Sequence, residues 1–139
     1  MAEQFNVAAL RHLATADQLE RKGRLDDAAY HYGVAGEAAV KEAFVRAGIK
    51  HPRKHWDPLE GKSLRHKIES IGNLAVLLRN GRLGGVALAD DLDDGKFSYR
   101  FDGWSLDIRY AHTDHCPVDA EKLAAWKDDA ALLVNNGGF

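Results

Sequence analysis

Residues 8–44, AALRHLATADQLERKGRLDDAAYHYGVAGEAAVKEAF, decide the fold of this chain because they hold two helical patterns separated by one turn. The first pattern, from Phe5 to Lys22, places apolar residues on one face, and Gly23 follows where a left-handed helix cap is expected. That predicted face consists of Ala9, Leu10, Leu13 and Ala16. The short turn predicts that the two helices form an antiparallel hairpin.

The second pattern has an apolar stripe of unusually small residues. It repeats at three- and four-residue spacing until Gly48, through Ala29, Gly33, Gly36, Val40, Ala43, Phe44 and Ala47. Glycine inside a helix costs roughly 1 kcal/mol relative to alanine. We therefore predict that Gly33 and Gly36 allow another helix to approach closely. In a dimer, the stripe of Gly33, Gly36 and Ala39 is an alternative subunit contact.

Beyond the hairpin, the sequence predicts a loop over 50–62, with Trp56 as its anchor, and then a third helix. Ser63 caps this helix and Asn80-Gly81 ends it. Its apolar residues recur at helical spacing, as Leu64, Ile68, Ile71, Ala75 and Leu78. Residues 82–108 predict an irregular or short β-like excursion, held to the core by Phe97, Tyr99, Phe101 and Trp104.

A last helix begins near Pro117, with Asp119 and Glu121 at the positive end of its dipole. Its predicted buried face is Val118, Leu123, Trp126, Ala130 and Leu133, and NNGGF at 135–139 is expected to fray. The fold class is therefore all-α, an up-and-down bundle of four to five helices in a single domain over 1–139.

Composition narrows the classes of function. The chain has 139 residues, 45% hydrophobic and 29% charged, and a net charge of −2, which argues against disorder and against nucleic-acid binding through bulk positive charge. One cysteine excludes an intramolecular disulfide. The N-terminus lacks a signal-peptide pattern, and no apolar run approaches the ~18 residues of a membrane span. We therefore expect a cytoplasmic protein that is not embedded in a membrane.

Several motifs occur in a telling order. An A…L…GR.D.A.Y…G..GE.A.K arrangement covers the hairpin, SLRHKI begins the predicted third helix, and W-x4-R-Y places Trp104 before Arg109 and Tyr110. In this order the motifs resemble the HEPN domain family, in the subgroup that carries an RY pair. The stretch GRLDDAAYHYGVA alone also resembles a tetratricopeptide repeat, but no second copy follows, and such arrays need several.

The resemblance implies a small helical bundle, usually a homodimer. Many HEPN domains are metal-independent ribonucleases of toxin–antitoxin, defence or RNA-processing systems, with an Arg-x4–6-His motif at the dimer interface. Others resemble nucleotide-binding or protein-interaction modules, often encoded beside a minimal nucleotidyltransferase. Arg109 and His115 are separated by five residues and match the loose motif. No cofactor is implied, and RNA, a nucleotide, a nucleotidyltransferase or an antitoxin are the implied partners.

The candidate catalytic residues are Arg109, His115 and His112, within RYAHTDHC at 109–116. A histidine can take a proton from a ribose 2′-hydroxyl or return one to the leaving oxygen, while an arginine stabilises charge on the phosphate. The chain departs from catalytic members in having Tyr110 directly after the arginine and Pro117 soon after His115. Two alternatives stay open: a buried ion pair of Arg109 with an acidic residue such as Glu37, and an exposed turn position for His115.

The same stretch permits a second interpretation, a structural zinc site. His112, His115 and Cys116 supply two imidazoles and a thiolate, but a closed tetrahedral site usually takes two spaced pairs of ligands, and the second pair would have to be His51 and His55 from the long loop. Chance clustering among seven histidines explains the pattern as well. We predict no metal. DDLDDG at 90–95 lacks the alternating spacing of a calcium loop.

Candidate substrate-binding residues come from three places. The segment 50–67 is rich in basic residues and contributes Lys54, Arg65 and His66 as phosphate contacts. Tyr110 belongs to the RY pair. Glu37 and Lys41, spaced i, i+4 on the second predicted helix, are expected to meet Arg109 or the partner subunit. Six aspartates between 90 and 107 would repel nucleic acid or attract a basic partner, although both charged segments also fit plain solvated loops.

Overall fold

The computed structural model describes residues 4–46, 58, 101, 103–104, 108 and 118–136. Within these residues the fold is a bundle of three helices, α1 (Phe5–Arg21), α2 (Leu25–Arg46) and α3 (Ala120–Asn136), with no strand. The predicted all-α class is thus confirmed for this part of the chain. The predicted third helix at 63–80 and the predicted loop with Trp56, apart from Pro58, lie outside it. Of the predicted excursion, the described residues Phe101, Gly103, Trp104 and Ile108 are not in a strand.

A glycine-capped turn joins α1 to α2, as predicted. Gly23 has a φ of +78°, its amide donates to the Glu20 carbonyl at 2.9 Å, and the Arg24 amide donates to the Leu19 carbonyl at 3.0 Å. These two bonds form a Schellman motif, which satisfies carbonyls that the end of the helix would leave unpaired. Because α2 begins two residues after Gly23, the chain reverses at once and the two helices pack as an antiparallel hairpin.

The buried face of α1 is narrower than predicted. Ala9 and Ala16 are fully buried, and Leu13 packs against the core. Leu10, which we expected on this face, is 48% exposed. Each residue turns about 100° around a helix, so the stripe Phe5, Ala9, Leu13, Ala16 leaves Leu10 about 100° to one side. The prediction for Leu10 was therefore wrong.

Helix α2 lies at the centre and is buried on more than one side. Its fully buried residues are mostly alanines, because it packs against α1 and against α3: Ala28, Ala29, Tyr32, Ala35, Ala39, Val40 and Ala43. Small side chains keep the helix slender enough for neighbours on both sides. The predicted inner stripe is confirmed from Ala29 to Ala43. The Phe44 side chain and Ala47 lie outside the described residues.

Aromatic side chains fill the space above the two glycines of α2. Trp104, 2% exposed, lies against Gly33 so closely that a Cβ there would overlap the indole. A Cβ at Gly36 would lie 2.5 Å from Phe101 Cζ and 3.4 Å from Leu133 Cδ1. The predicted close helix approach is therefore corrected: rings are the nearest neighbours, with one α3 leucine beside Gly36.

The alternative role of the small stripe as a subunit contact is also wrong. Gly33, Gly36 and Ala39 are all buried within one chain, and Ala39 has no exposed surface. The anchoring role expected for Phe101 and Trp104 is confirmed. The indole N–H of Trp104 donates to the Ala29 carbonyl at 2.7 Å.

Helix α3 closes the bundle with the face that its sequence predicts. The Oδ1 of Asp119 accepts the amide of Lys122 at 2.7 Å, so Asp119 is the N-cap and the helix starts one residue later. All five residues of the predicted face are buried: Val118, Leu123, Trp126, Ala130 and Leu133. The expected fraying at Asn135 and Asn136 is wrong, because α3 extends to Asn136.

A polar network ties the three helices together. The Tyr32 hydroxyl of α2 lies 2.6 Å from Asp17 Oδ1 and 2.8 Å from Glu20 Oε2, both on α1. Lys127 of α3 donates to the same Glu20 oxygen at 3.0 Å. The hydrogen bond from Lys127 holds the pKa of Glu20 below its usual value. Burial, followed by the two carboxylate contacts, raises the pKa of Tyr32 well above its ordinary value.

Replacing Tyr32 with phenylalanine is expected to lower the free energy of unfolding by about 1.5 kcal/mol, the lower end for a hydrogen bond to a charged group. The reason is that Asp17 and Glu20 lose a shared donor while the ring still fills its site. Urea denaturation at pH 7.5 measures the change. Tyr30→Phe is the control, because its ring packs on His31 and the described residues show no bond from its hydroxyl. Equal losses in both variants would contradict a special role for the Tyr32 hydroxyl.

Candidate functional site

Two of the nine predicted site residues, Glu37 and Lys41, lie in the described part of the chain. The other seven fall outside it: Lys54, Arg65, His66, Arg109, Tyr110, His112 and His115. The same holds for Cys116, His51 and His55 of the zinc alternative. Across the described ranges, no cluster of three or more metal-binding side chains occurs.

The residues on either side of the segment 109–117 are held in the core. Ile108, directly before Arg109, is 6% exposed, and Val118, directly after Pro117, is 4% exposed. Trp104 and Trp126 belong to the same buried cluster. The two residues that flank the segment 109–117 are therefore anchored in the core of the bundle.

Glu37 and Lys41 form the predicted i, i+4 ion pair, but not on an open surface. Lys41 Nζ lies 3.4 Å from Glu37 Oε1, and only 10% and 16% of the two side chains are exposed. The ammonium also lies 5.7 Å from the centre of the Phe5 ring, within the range of a cation–π interaction. Removing one partner of a pair this dehydrated would leave a costly buried charge.

A small pocket opens between α1 and α2 beside this ion pair. Its volume is about 150 Å³, and its walls combine apolar and charged side chains: Phe5, Ala8, His12, Val34, Glu37, Ala38 and Lys41. Pockets for drug-sized ligands measure roughly 300–1,000 Å³, while a water molecule takes about 30 Å³ of liquid. The pocket therefore suits a few waters or one protruding chemical group rather than a whole nucleotide.

A histidine pair that the sequence analysis missed borders this pocket. His12 of α1 and His31 of α2 approach with their Nδ1 atoms 2.9 Å apart and their ring centres 5.1 Å apart. Burial lowers the pKa of His12, and His31 and Arg11 lower it further. Burial also lowers the pKa of His31, although Asp27 acts in the opposite direction. Both rings are therefore biased toward the neutral form.

The sequence held a partial signal for this pair. His12 precedes Gly23 by eleven residues and His31 follows it by eight, so an antiparallel hairpin brings the two within about one turn of each other. Spacing alone did not decide whether the two rings share a face.

Comparisons with known proteins add no assignment: no family model matches the sequence, and no curated protein or solved structure matches it significantly. None of the described helices has both the length and the apolar character that crossing a membrane requires. A functional interpretation therefore depends on the chemistry of this chain's own residues.

Proposed function

We propose that this chain is a HEPN-like bundle of four to five helices that acts as a metal-independent endoribonuclease, in a toxin–antitoxin or defence system. The observation that carries the proposal is the motif order, in which a helical hairpin precedes Arg109-x5-His115. The core positions of Ile108 and Val118 support it, because a catalytic segment needs fixed ends. We further propose that the protein is a cytoplasmic homodimer.

The proposed reaction is an internal transfer at phosphorus. The ribose 2′-oxygen forms a bond to phosphorus, the bond to the 5′-oxygen breaks, and a cyclic 2′,3′-phosphate and a free 5′-hydroxyl result. His115 and His112 carry out the two proton transfers: one histidine accepts the proton of the 2′-hydroxyl, and the other donates a proton to the leaving 5′-oxygen. Arg109 stabilises the added charge on the phosphate. Water and metal ions take no part in this step.

Substrate binding is assigned to the remaining candidates. Lys54, Arg65 and His66 supply positive charge for the RNA backbone, and Tyr110 offers a ring for a base. Glu37 and Lys41 have little exposed surface, so we assign them contact with one protruding substrate group at most, through the pocket that they line.

Replacing Arg109 or His115 with alanine is expected to reduce RNA cleavage by about 100-fold or more, the usual contribution of a group that stabilises transition-state charge or of a positioned acid or base. The assay mixes purified protein with total and transfer RNA in chelator and follows the cyclic-phosphate products. Thr113→Ala, in the same segment, is the matched control and should keep its activity. Circular dichroism shows whether each variant retains its helices.

Two outcomes would contradict the nuclease proposal. Cleavage that survives both substitutions would exclude this site. An intact wild-type protein that cleaves no RNA would favour the second candidate, a non-catalytic nucleotide-binding or protein-interaction module that partners a minimal nucleotidyltransferase or an antitoxin.

One observation favours an interaction module: Val7 and Leu10, one helical turn apart on α1, are each 48% exposed. Co-purification with the product of a neighbouring nucleotidyltransferase gene, lost in Leu10→Lys, would support it.

A further inference from the structure

We propose that His12 and His31 form a pH-sensitive link between α1 and α2, in which one shared N–H joins the helices near neutral pH and protonation of both rings breaks it. This inference goes beyond the proposed RNA cleavage and does not depend on it.

The geometry allows only one proton between the two rings. The Nδ1 atoms lie 2.9 Å apart, a hydrogen-bonding distance, and the ring planes differ by 25°. The ring centres are 5.1 Å apart, and this distance exceeds the separation of the two Nδ1 atoms by nearly two ring radii. Both nitrogens therefore lie close to the line between the ring centres, so the rings meet head to head rather than face to face. One Nδ1 must therefore donate and the other must accept.

This requirement fixes the protonation states that keep the link. In the neutral pair, the donor ring carries its proton on Nδ1 and the acceptor ring carries its proton on Nε2. A first added proton goes to Nε2 of the donor ring, and the shared bond remains. A second added proton must occupy the acceptor's Nδ1, which places two N–H groups against each other. The pair thus holds a charge of zero or one, and it separates at two.

The surroundings oppose the doubly charged state. Burial is the largest effect and disfavours charge on both rings. Among the described charged residues, Arg11 on α1 also disfavours charge on His12, whereas Asp27 on α2 favours charge on His31. Glu37 and Lys41 share the pocket with His12 and are paired with each other. The edge of Tyr30 contacts His31 at 5.2 Å between ring centres. No charged residue in the described part of α3 is among the groups that shift the pKa of either histidine.

The direction of the pH effect follows from proton binding. Both histidines have a folded pKa below the ordinary 6.5, so the unfolded chain binds more protons as the pH falls through that value. Stability rises with pH wherever the unfolded state binds more protons. The contribution of the pair is therefore complete above about pH 7 and declines from about pH 6.5 downward, until the folded rings also become charged.

The first test measures the urea midpoint of unfolding of the full chain from pH 8 to pH 5. The urea midpoint of wild type should fall on acidification, and the midpoint of the double variant His12→Leu with His31→Leu should fall less. The slope of the unfolding free energy against pH reports the number of protons taken up on unfolding, and this number should be smaller in the double variant by up to one for each histidine removed. Lys22→Gln, at the exposed C-cap of α1 and not among the groups that shift the pKa of either histidine, is the control that keeps the pair and should keep the pH dependence. Equal pH dependence in wild type and the double variant would overturn the proposal.

The second test uses wild-type protein alone, so it does not require the variants to fold. Long-range ¹H–¹⁵N spectra at pH 7.5 should show one ring of the pair protonated on Nδ1 and the other on Nε2, and titration should proceed in two separated steps. Two rings with the same Nε2-protonated tautomer, each titrating independently near the ordinary value, would refute the shared N–H.

Discussion

Replacing Trp104 with alanine is expected to lower the free energy of unfolding by about 3–5 kcal/mol, the range for removing a large aromatic side chain from a core. Trp104 is 2% exposed and is among the largest buried side chains in the described part of the chain. The side chain fills the space above Gly33, where α2 has no atoms of its own to close a cavity. The loss is therefore expected to lie at the upper end of this range.

Trp104→Phe removes the hydrogen bond and keeps part of the ring packing. The indole N–H donates to the Ala29 carbonyl at 2.7 Å, and a net contribution of about 1 kcal/mol is typical of such a bond. Phenylalanine should therefore cost less than alanine but clearly more than Val7→Ala, a truncation at a 48% exposed position on α1 that should change stability by under about 0.5 kcal/mol. Urea denaturation measures all three. A Trp104→Ala protein as stable as Val7→Ala would show that the indole is not seated on α2.

Local signals in the sequence were sufficient to predict the three helices of the described part of the chain. Gly23 and Asp119 mark a helix end and a helix start through their own backbone and side-chain bonds, which depend on residues at most five positions away. The buried face of α3 follows from 3.6-residue periodicity. Such features need no knowledge of distant contacts. The cap at Gly23 and the buried face of α3 were predicted correctly, whereas the start of α3 was predicted near Pro117 and the helix begins at Ala120.

The match between glycines and aromatic rings could not be predicted in the same way. Trp104 and Ala29 are 75 residues apart. The sequence shows that Gly33 has no side chain and that Trp104 has a large one, but it does not show that the two residues meet. The exposure of Leu10 could not be predicted for the same reason. Its side chain lies about 100° from the centre of the α1 stripe, and whether that side of α1 faces solvent depends on where the neighbouring helices pack.

The candidate site shows a similar division. The i, i+4 spacing predicted the Glu37–Lys41 pair, but its low exposure depends on how α1 covers α2. The head-to-head contact of His12 with His31 depends on how each helix is rotated about its own axis. Hydrophobic periodicity does not predict that rotation accurately enough to show that the two rings meet. The predictions for Arg109, His112 and His115 concern residues outside the described part, and they stay predictions.

Introducing a single methyl group at Gly33 should have the second-largest effect. Gly33→Ala is expected to lower the free energy of unfolding by about 1–3 kcal/mol in total, because overpacking costs about 1–3 kcal/mol and the displaced indole loses a bond to Ala29 that contributes about 1 kcal/mol. The gain in helix propensity, roughly 1 kcal/mol, offsets only part of this. Gly36→Ala should cost less, since its Cβ would meet the far end of the Phe101 ring at 2.5 Å.

The cause can be isolated by removing the ring that collides. In a Trp104→Leu background, Gly33→Ala should become neutral or stabilising by up to about 1 kcal/mol, because the shorter side chain leaves room for the methyl group and the helix propensity remains. Ala14→Gly, at an exposed position of α1, calibrates that propensity in this protein. Thermal and urea denaturation of the four variants measure the cycle. A penalty at Gly33 that persists without Trp104 would place its origin in the α2 backbone or another neighbour, and would contradict the close fit of indole and glycine described above.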